Sequence, residues 1–423
     1  MLSHEDNERL CRVGPGTPMG DMLRRYWQPA LLSSELEERD GAPVRVRLLG
    51  EDLVAFRDTD GRVGLVDAYC PHRRAPLFYG RNEECGIRCV YHGWKFDVDG
   101  NCLDLPNEPP GSSMRDKARL PAYPALDLAG VIWAYMGPPE RKPPPPDYEW
   151  MRAPATHRHV SKVYQASNYL QALEGGLDTG HSSFLHNNVM GDNSTVRNSD
   201  TRPSIDVYPT DYGYSYVSVR KLPGDKRYVR VYQYVMPFQQ MRGDIFDDSG
   251  GRSAVPKIDG HFWVPIDDNQ IFTWNWMYGD DESVPITPDF AEKDEKRAGR
   301  GKDDFIPGTF VLKRNPSNDH MIDRALQNTR TFTGITGVGT QDAAVQEGME
   351  SIVDRSREYL GTSDTAVIDM RKMMLAATFT VERGEDPPGL DPARYRNMRP
   401  YDKVIPAGTD WRAAMADGLK AKW

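Results

Sequence analysis

The sequence predicts an α+β protein of two domains: an all-β amino-terminal domain, then a larger domain built on antiparallel sheet flanked by helices. Three observations carry this. Apolar residues alternate with period two in short runs between Ala42 and Met136, broken by Asp-Gly pairs. A proline run at 143–146 then removes the backbone donors a sheet needs. Beyond it come three aromatic, alternating stretches separated by turn residues.

Composition narrows the classes. The 423 residues are 39% hydrophobic and 27% charged, with 20 Tyr, 13 Phe and 9 Trp, which is too aromatic for a disordered chain. A net charge of −9 with no basic block excludes binding driven by nucleic-acid phosphates. No apolar run reaches the roughly 18 residues of a membrane span, and the charged start MLSHEDNERL is no signal peptide, so a cytoplasmic protein is expected. The 5 cysteines are an odd, sparse set and make no disulfide framework. Cys70, Cys85 and Cys89 nevertheless cluster, which points to metal or redox chemistry.

In chain order, residues 1–41 form an amino-terminal helical segment, where Thr17-Pro18 caps a helix with Met22, Leu23, Tyr26 and Trp27 on one face. Residues 42–137 are the β domain: Val44, Val46 and Leu48 alternate with Arg45 and Arg47, hairpins turn at Asp60-Gly61 and Asp99-Gly100, and 131–136 is a buried strand. Residues 138–150 are a stiff proline-rich linker and 151–423 the second domain. Its strands are 212–221, 226–238 and 269–279. The charge-dense stretch 280–304 reads as a mobile loop, and 356–361 and 364–377 read as helices.

Two loops of the β domain carry chemistry. Cys70-Pro71-His72 and, after sixteen intervening residues, Cys89-Val90-Tyr91-His92-Gly93-Trp94 each offer one thiolate and one imidazole. Such a set holds a [2Fe–2S] cluster with two cysteines on one iron and two histidines on the other. The pattern C-x-H then C-x-x-H-G-W resembles the Rieske domain over about 42–137. The competing reading is a structural Cys2His2 zinc site, although zinc fingers usually pair cysteine with cysteine and histidine with histidine along the chain. Cys11, Cys85 and Cys102 have no paired histidine and read as small buried hydrophobes or solvent thiols. Respiratory Rieske proteins carry an extra cysteine in each cluster loop; the absence of both here resembles the oxygenase-associated type.

The second domain opens with Asp178-Thr-Gly-His181-Ser-Ser-Phe-Leu-His186, a D-x2-H-x4-H spacing. On a helix, Asp178 and His181 would share a face, and His186 would join them only where the helix ends or bends. Two histidines and one carboxylate make the facial triad of a mononuclear non-haem Fe(II) oxygenase. Alone the motif is weak, and a structural reading stands beside it.

A Rieske pattern followed 86 residues later by this motif resembles the α subunit of the Rieske non-haem iron aromatic-ring-hydroxylating oxygenases, most of all the phthalate 4,5-dioxygenase subfamily. The resemblance implies a helix-grip, START-like catalytic domain. It implies that His181 and His186 bind the mononuclear iron, that Asp342 in GTQDAAVQE is the third ligand, and that Asp178 bridges the two centres. Asp354, Asp364 and Asp369 compete for the third place. Some relatives carry an amide three residues before the bridging aspartate, where this chain has Gly175. The resemblance also implies a homotrimer or stacked trimers, with electrons passing from the cluster through His92 of one subunit to Asp178 and His181 of the next. Having no G-x-G-x-x-G unit, the chain needs a separate reductase, and the resemblance implies an NAD(P)H-dependent one carrying flavin and [2Fe–2S], docking directly or through a ferredoxin.

The implied reaction uses O2 to hydroxylate, as a cis-dihydroxylation, an aromatic carboxylate of phthalate type. A monooxygenase or an O- or N-demethylase is the alternative with the same centres; an electron carrier or an apolar-ligand binder is the alternative of another class. An arginine fork would hold the carboxylate. Arg220, Arg230 and Arg242 are the candidates, each with an outward-facing strand position as its default. Phe272, Trp274 and Trp276 are candidate pocket aromatics, with core packing as their default.

Overall fold

The computed structural model describes residues 2–190, 195–247 and 249–423. Contacts divide the chain into Val13–Pro143 and a second unit of Met1–Arg12 with Pro144–Trp423. One division falls inside the proline run, within the stretch expected to link two domains. The other falls at Val13, well before residue 42.

The reason lies in the first strand. Helix Pro18–Leu23 forms as expected, with Thr17 Oγ1 accepting from the Gly20 backbone and proline in its first turn. It stops there, and Trp27, expected on its face, starts strand β1 (Trp27–Leu32). Apolar residues in a short run suit either element, and tertiary pairing decides. The other strands of this unit are β2 (Val44–Leu48), β3 (Glu51–Arg57), β4 (Val63–Asp67), β5 (Arg81–Glu83), β6 (Gly86–Arg88), β7 (Lys95–Phe96), β8 (Cys102–Asp104), β9 (Ala125–Leu128) and β10 (Val131–Tyr135). They make three antiparallel sheets, β2-β3-β4, β5-β6-β7-β8 and β1-β10-β9. β10 is buried throughout and pairs on both sides, and Pro29 sits at the register shift of edge strand β1, where a missing N–H costs nothing. Both expected hairpins form. Gly100 turns at φ +76°, and a Cβ there would collide with the Leu120 carbonyl.

The second unit is an eight-stranded antiparallel sheet: β11 (Arg158–Gln165), β12 (Ser204–Thr210), β13 (Gly213–Leu222), β14 (Lys226–Val235), β15 (Gln239–Phe246), β16 (Arg252–Asp267), β17 (Gln270–Gly279) and β18 (Tyr401–Pro406). Its order is β11-β17-β16-β15-β14-β13-β12, with β18 also paired to β14. The three expected strands are β13, β14 and β17. Registers Val163↔Thr273, Asn275↔His261, His261↔Gln240, Arg242↔Asp259, Gln240↔Tyr234 and Arg230↔Ser218 place alternate residues of six strands on one face. That face lines a cavity.

Two expectations for the flanks are corrected. The stretch 280–304 holds helix Pro288–Arg297, capped by Thr287, with Asp289 in its first turn and Lys296 and Arg297 in its last. It anchors through buried Ala291, with Phe290 packed beside Met277 and Ile286, and through buried Glu295, whose charge on the inward face masks the helix in a reading of apolar residues alone. The stretch 356–361 is no helix. Only Arg355–Arg357 makes a single 3-10 turn, and Tyr359 beyond it is 92% exposed. Helix Thr365–Glu382 forms where 364–377 was expected. Among the described residues no helix is long and apolar enough to cross a membrane.

Candidate metal centres and reaction cavity

The two cysteine loops of the Val13–Pro143 unit fold as copies. Cys70 N–H donates to Ala75 O (2.9 Å) and Cys70 O accepts from Arg74 N (2.8 Å); Cys89 N–H donates to Trp94 O (2.8 Å) and Cys89 O accepts from Gly93 N (3.0 Å). Each loop turns through a left-handed residue four after its cysteine, Arg74 (φ +57°) and Gly93 (φ +78°). At Gly93 a Cβ would also meet Pro106 Cγ at 2.6 Å, so glycine is required. The loops bring the His72 and His92 rings to 4.5 Å, and His72 stacks on Trp94, also at 4.5 Å.

This donor set fits a cluster. His72 Nδ1 is buried with no hydrogen-bond partner among the described residues. A buried, orphaned ring nitrogen is costly unless it binds something. Both thiols are buried, and burial pushes Cys70 up to about 12, with the His72 backbone N–H opposing and Cys89 adding to the rise. Cys11, Cys85 and Cys102, like every cysteine here, form no disulfide, and Cys102 is buried in the same apolar core as Cys70 and Cys89.

In the second unit, helix Tyr169–Leu177 is capped by Asn168, whose Oδ1 accepts from Leu170 N at 3.1 Å. It ends before Asp178, which is extended, so Asp178 and His181 share a loop and not the helix face expected for them. Asp178 folds that loop: Oδ1 accepts from Gly180 N (2.6 Å), and Oδ2 accepts from His181 N (3.2 Å) and faces His181 Nδ1 (3.2 Å). The bend brings His186 back. Nε2 of His181 and of His186 are 3.1 Å apart, and Asp342 Oδ1 lies 3.6 and 3.4 Å from them. Among the described residues these three form a half-buried set whose ligand atoms could grip one ion. Such edges suit one face of a first-row divalent ion with bonds of about 2.0–2.2 Å.

Asp342 comes from helix Val338–Glu347. Burial opposes its ionisation, but His186 and His181 hold its carboxyl below the ordinary value. Asp178 is likewise held low, burial opposing and His181 prevailing. His181 is raised: burial acts against this, and Asp178 and Asp342 outweigh it. The competing carboxylates are engaged elsewhere, Asp354 with Ser356, Asp364 with Gly361 N and Asp369 with Lys372. Sequence reasoning missed Gln341. It is fully buried, and its Oε1 lies 2.9 Å from His186 Nδ1. Its Nε2 donates to Ile335 O (2.8 Å), Asn188 Oδ1 (3.2 Å) and Thr333 Oγ1 (3.2 Å), so the amide is oriented with its oxygen toward the histidine.

A cavity of about 180 Å³ opens at these three side chains. A void of about 150 Å³ holds a benzene, so one substituted ring fits. Arg220, Arg230 and Arg242 all face it, against their outward-facing default, because the polar face of this sheet is the cavity face. They do different work. Arg220 is 3% exposed and spends its guanidinium on Thr179 O (2.6 Å), Asp200 O (2.5 Å), Ser183 Oγ (3.1 Å) and Ser182 Oγ (3.3 Å), fastening the loop that carries His181. Arg230 is tied to Gly243 O. Arg242 pairs with Asp259 at 2.7 Å and keeps 32% of its side chain exposed. His261 stands on the next strand, its Nδ1 2.9 Å from Asn275 Oδ1; burial, with Arg242 and Arg300, pushes it down to about 3. Phe272 and Trp274 pack on the opposite face under Lys162, and Trp276 stacks on Trp150, bordering the cavity only beside Gly260.

Two family models match: the Rieske [2Fe-2S] domain over residues 26–124 and the "LigXa C-terminal domain like" model over 134–422. The chain is 39% identical to the phthalate 4,5-dioxygenase oxygenase subunit of Pseudomonas putida, across 97% of this chain and 94% of that one. It is 33% identical to the 5,5'-dehydrodivanillate O-demethylase oxygenase subunit of Sphingobium sp., across 100% and 90%. The fold is that of NdmA from Pseudomonas putida CBB5, with a TM-score of 0.63 over 90% of this chain and 96% of that one at 17% identity. Matched from end to end by such relatives, the chain belongs to the Rieske non-haem iron ring-hydroxylating oxygenases as an oxygenase α subunit, and its cofactors are a Rieske [2Fe–2S] cluster and a mononuclear iron.

Proposed function

We propose that this α subunit hydroxylates an aromatic carboxylate of phthalate type by cis-dihydroxylation, with Cys70, His72, Cys89 and His92 holding the cluster and His181, His186 and Asp342 holding the iron. The carrying observation is the convergence of His181 Nε2, His186 Nε2 and Asp342 Oδ1 on a ring-sized cavity that also presents Arg242. When bound, the cluster supplies electrons one at a time and the iron supplies dioxygen activation. The protein's own part is to orient and to exclude water. Arg242 offers its exposed guanidinium to the substrate carboxylate, and Asp259 holds that guanidinium in register. Arg220 acts as a positioning residue through the His181 loop, in place of the substrate contact expected for it. Arg230 likewise holds Gly243 in place of substrate.

Asp178 keeps the proton on His181 Nδ1, which leaves Nε2 as the ligand atom. In this reading the chain works as a homotrimer or stacked trimers, Asp178 accepting from His92 of a neighbouring copy, with electrons from a cytoplasmic NAD(P)H-dependent reductase carrying flavin and [2Fe–2S]. O- or N-demethylation is the second reading, favoured by the end-to-end match to an O-demethylase subunit. Reductase-driven turnover of phthalate and of 3-methoxybenzoate under labelled dioxygen separates them: a diol with two labelled oxygens supports the first, and formaldehyde release supports the second. Purified protein should hold two cluster irons with labile sulfide and one further iron. Cys70→Ala should remove only the cluster and Asp342→Ala only the single iron; iron retained by Asp342→Ala would sink the ligand assignment.

A further inference from the structure

Gly175 and Gln346 occupy one space. A Cβ at 175 would run into Gln346 Nε2, so the absence of a side chain on helix Tyr169–Leu177 makes room for an amide from helix Val338–Glu347. The orientation of that amide goes with that of its neighbour Gln165. Gln165 Oε1 accepts from Thr273 Oγ1 (3.3 Å), and Gln165 Nε2 donates to Ser167 Oγ (2.9 Å) and to Gln346 Oε1 (2.7 Å). Gln165 thus turns its NH2 group to Gln346, which meets it with oxygen. The NH2 end points the other way, where the described residues give it no acceptor. Gln346 is 6% exposed, and the surface it keeps is in the cavity wall, with Asp342, one helical turn earlier, and Asp178.

We propose that Gln346 is a specificity-determining hydrogen-bond donor of the reaction cavity, reading an acceptor oxygen beside the iron, and that Gly175 is glycine to admit it. The acceptor is either an oxygen of a ring substituent of the aromatic acid or dioxygen itself. This rests on the proposed iron site. A buried donor pair with no protein acceptor is costly unless a ligand or water meets it, and one donor of a neutral pair is worth about a 3- to 10-fold change in affinity.

The test measures binding, without turnover, on Fe(II)-loaded trimer or native oligomer kept anaerobic. Dissociation constants are taken for 3-methoxybenzoate, for 3-chlorobenzoate as the anion without a ring oxygen, and for nitric oxide as a diatomic probe. The variants are Gln346→Met, which deletes the donors, and Gln346→Glu, which keeps the acceptor for Gln165. Gly175→Ala should displace the amide with Gln346 intact, and Gly175→Asn with Gln346→Ala should return an amide from the other helix. A ring-oxygen reader loses about 3- to 10-fold of the methoxy-over-chloro preference in the first three variants and regains it in the last. A dioxygen reader keeps that preference and loses nitric oxide affinity by a similar factor. If all three affinities match wild type in variants with normal iron content and melting temperature, the proposal is overturned. His186→Ala is the control for the underlying reading: iron retained there would mean that the iron site, and not Gln346, was misassigned.

Discussion

His181 and His186 differ in what stands behind them. Asp178 gives His181 a charged acceptor, and Gln341 gives His186 a neutral one, so the two imidazoles are held by partners of unequal strength. Partners of this kind, when removed, cost about 10- to 100-fold in metal affinity or activity. Gln341→Ala should therefore lose the single iron to a chelator at about 10- to 100-fold lower concentration, while the cluster spectrum stays unchanged; unaltered retention would make Gln341 a packing residue only. Asp178→Asn is the contrasting change. It should leave both metal centres loaded but slow reoxidation of the reduced cluster by orders of magnitude in single-turnover stopped flow, with reduction by the reductase unaffected. The aspartate was legible from spacing to the histidines. Gln341 was not, since an amide beside an acidic residue on a helix has no pattern of its own until Thr333, Ile335 and Asn188 converge on it.

Helix Pro288–Arg297 shows what charge does to an element's legibility. Its inward residue Glu295 is buried and receives hydrogen bonds from His159 (3.0 Å) and Ser161 (2.8 Å) and an ion pair from Arg300. Burial pushes the other way, but Arg300, His159 and Ser161 hold the Glu295 carboxyl down at about 2. The folded value thus lies below the unfolded one, so this stabilisation is full above about pH 4.5 and is lost as pH falls toward 2. A depression of this size is worth roughly 3 kcal/mol. Glu295→Gln should flatten that part of the acid-unfolding profile of the second unit; an unchanged midpoint between pH 4.5 and pH 2 would show that the helix does not depend on the charge. A sequence window sees only a charged, unpatterned stretch there. The same holds on the sheet, where cavity-facing Arg220, Arg230, Arg242, Asp244 and Asp259 read as an exposed face.

At the scale of the whole molecule the proposed assembly has a direct consequence. A protein lacking the cluster (Cys70→Ala) and one lacking the iron (His186→Ala) are each inactive. If electrons cross between copies around a head-to-tail ring, randomly mixed trimers of the two should recover turnover at about a quarter of the wild-type interfaces, because one pairing order in four joins an intact cluster to an intact iron. No recovery after verified subunit exchange would confine electron transfer to single chains.

The sequence by itself determined the chemistry of the two centres. Ligands for a cluster and an iron must be particular residue types at short spacing, so Cys70, His72, Cys89, His92, His181 and His186, with Asp178 beside them, stood out as candidates before any folding, and the period-two strands around them were legible too. Tertiary structure decided what is brought together from far apart. Trp27–Leu32 became a strand because a doubly paired, buried β10 offered it an edge. The three cavity-facing arginines divided into two that tie down backbone and one that pairs with Asp259 and keeps its surface, because which carbonyls lie within reach is set by strand register. Gly175 took its meaning from Gln346 on another helix. Short-range spacing fixes donor atoms through local geometry, whereas a partner for a buried polar group is chosen by contacts between residues distant in sequence, and those exist only once the chain has packed.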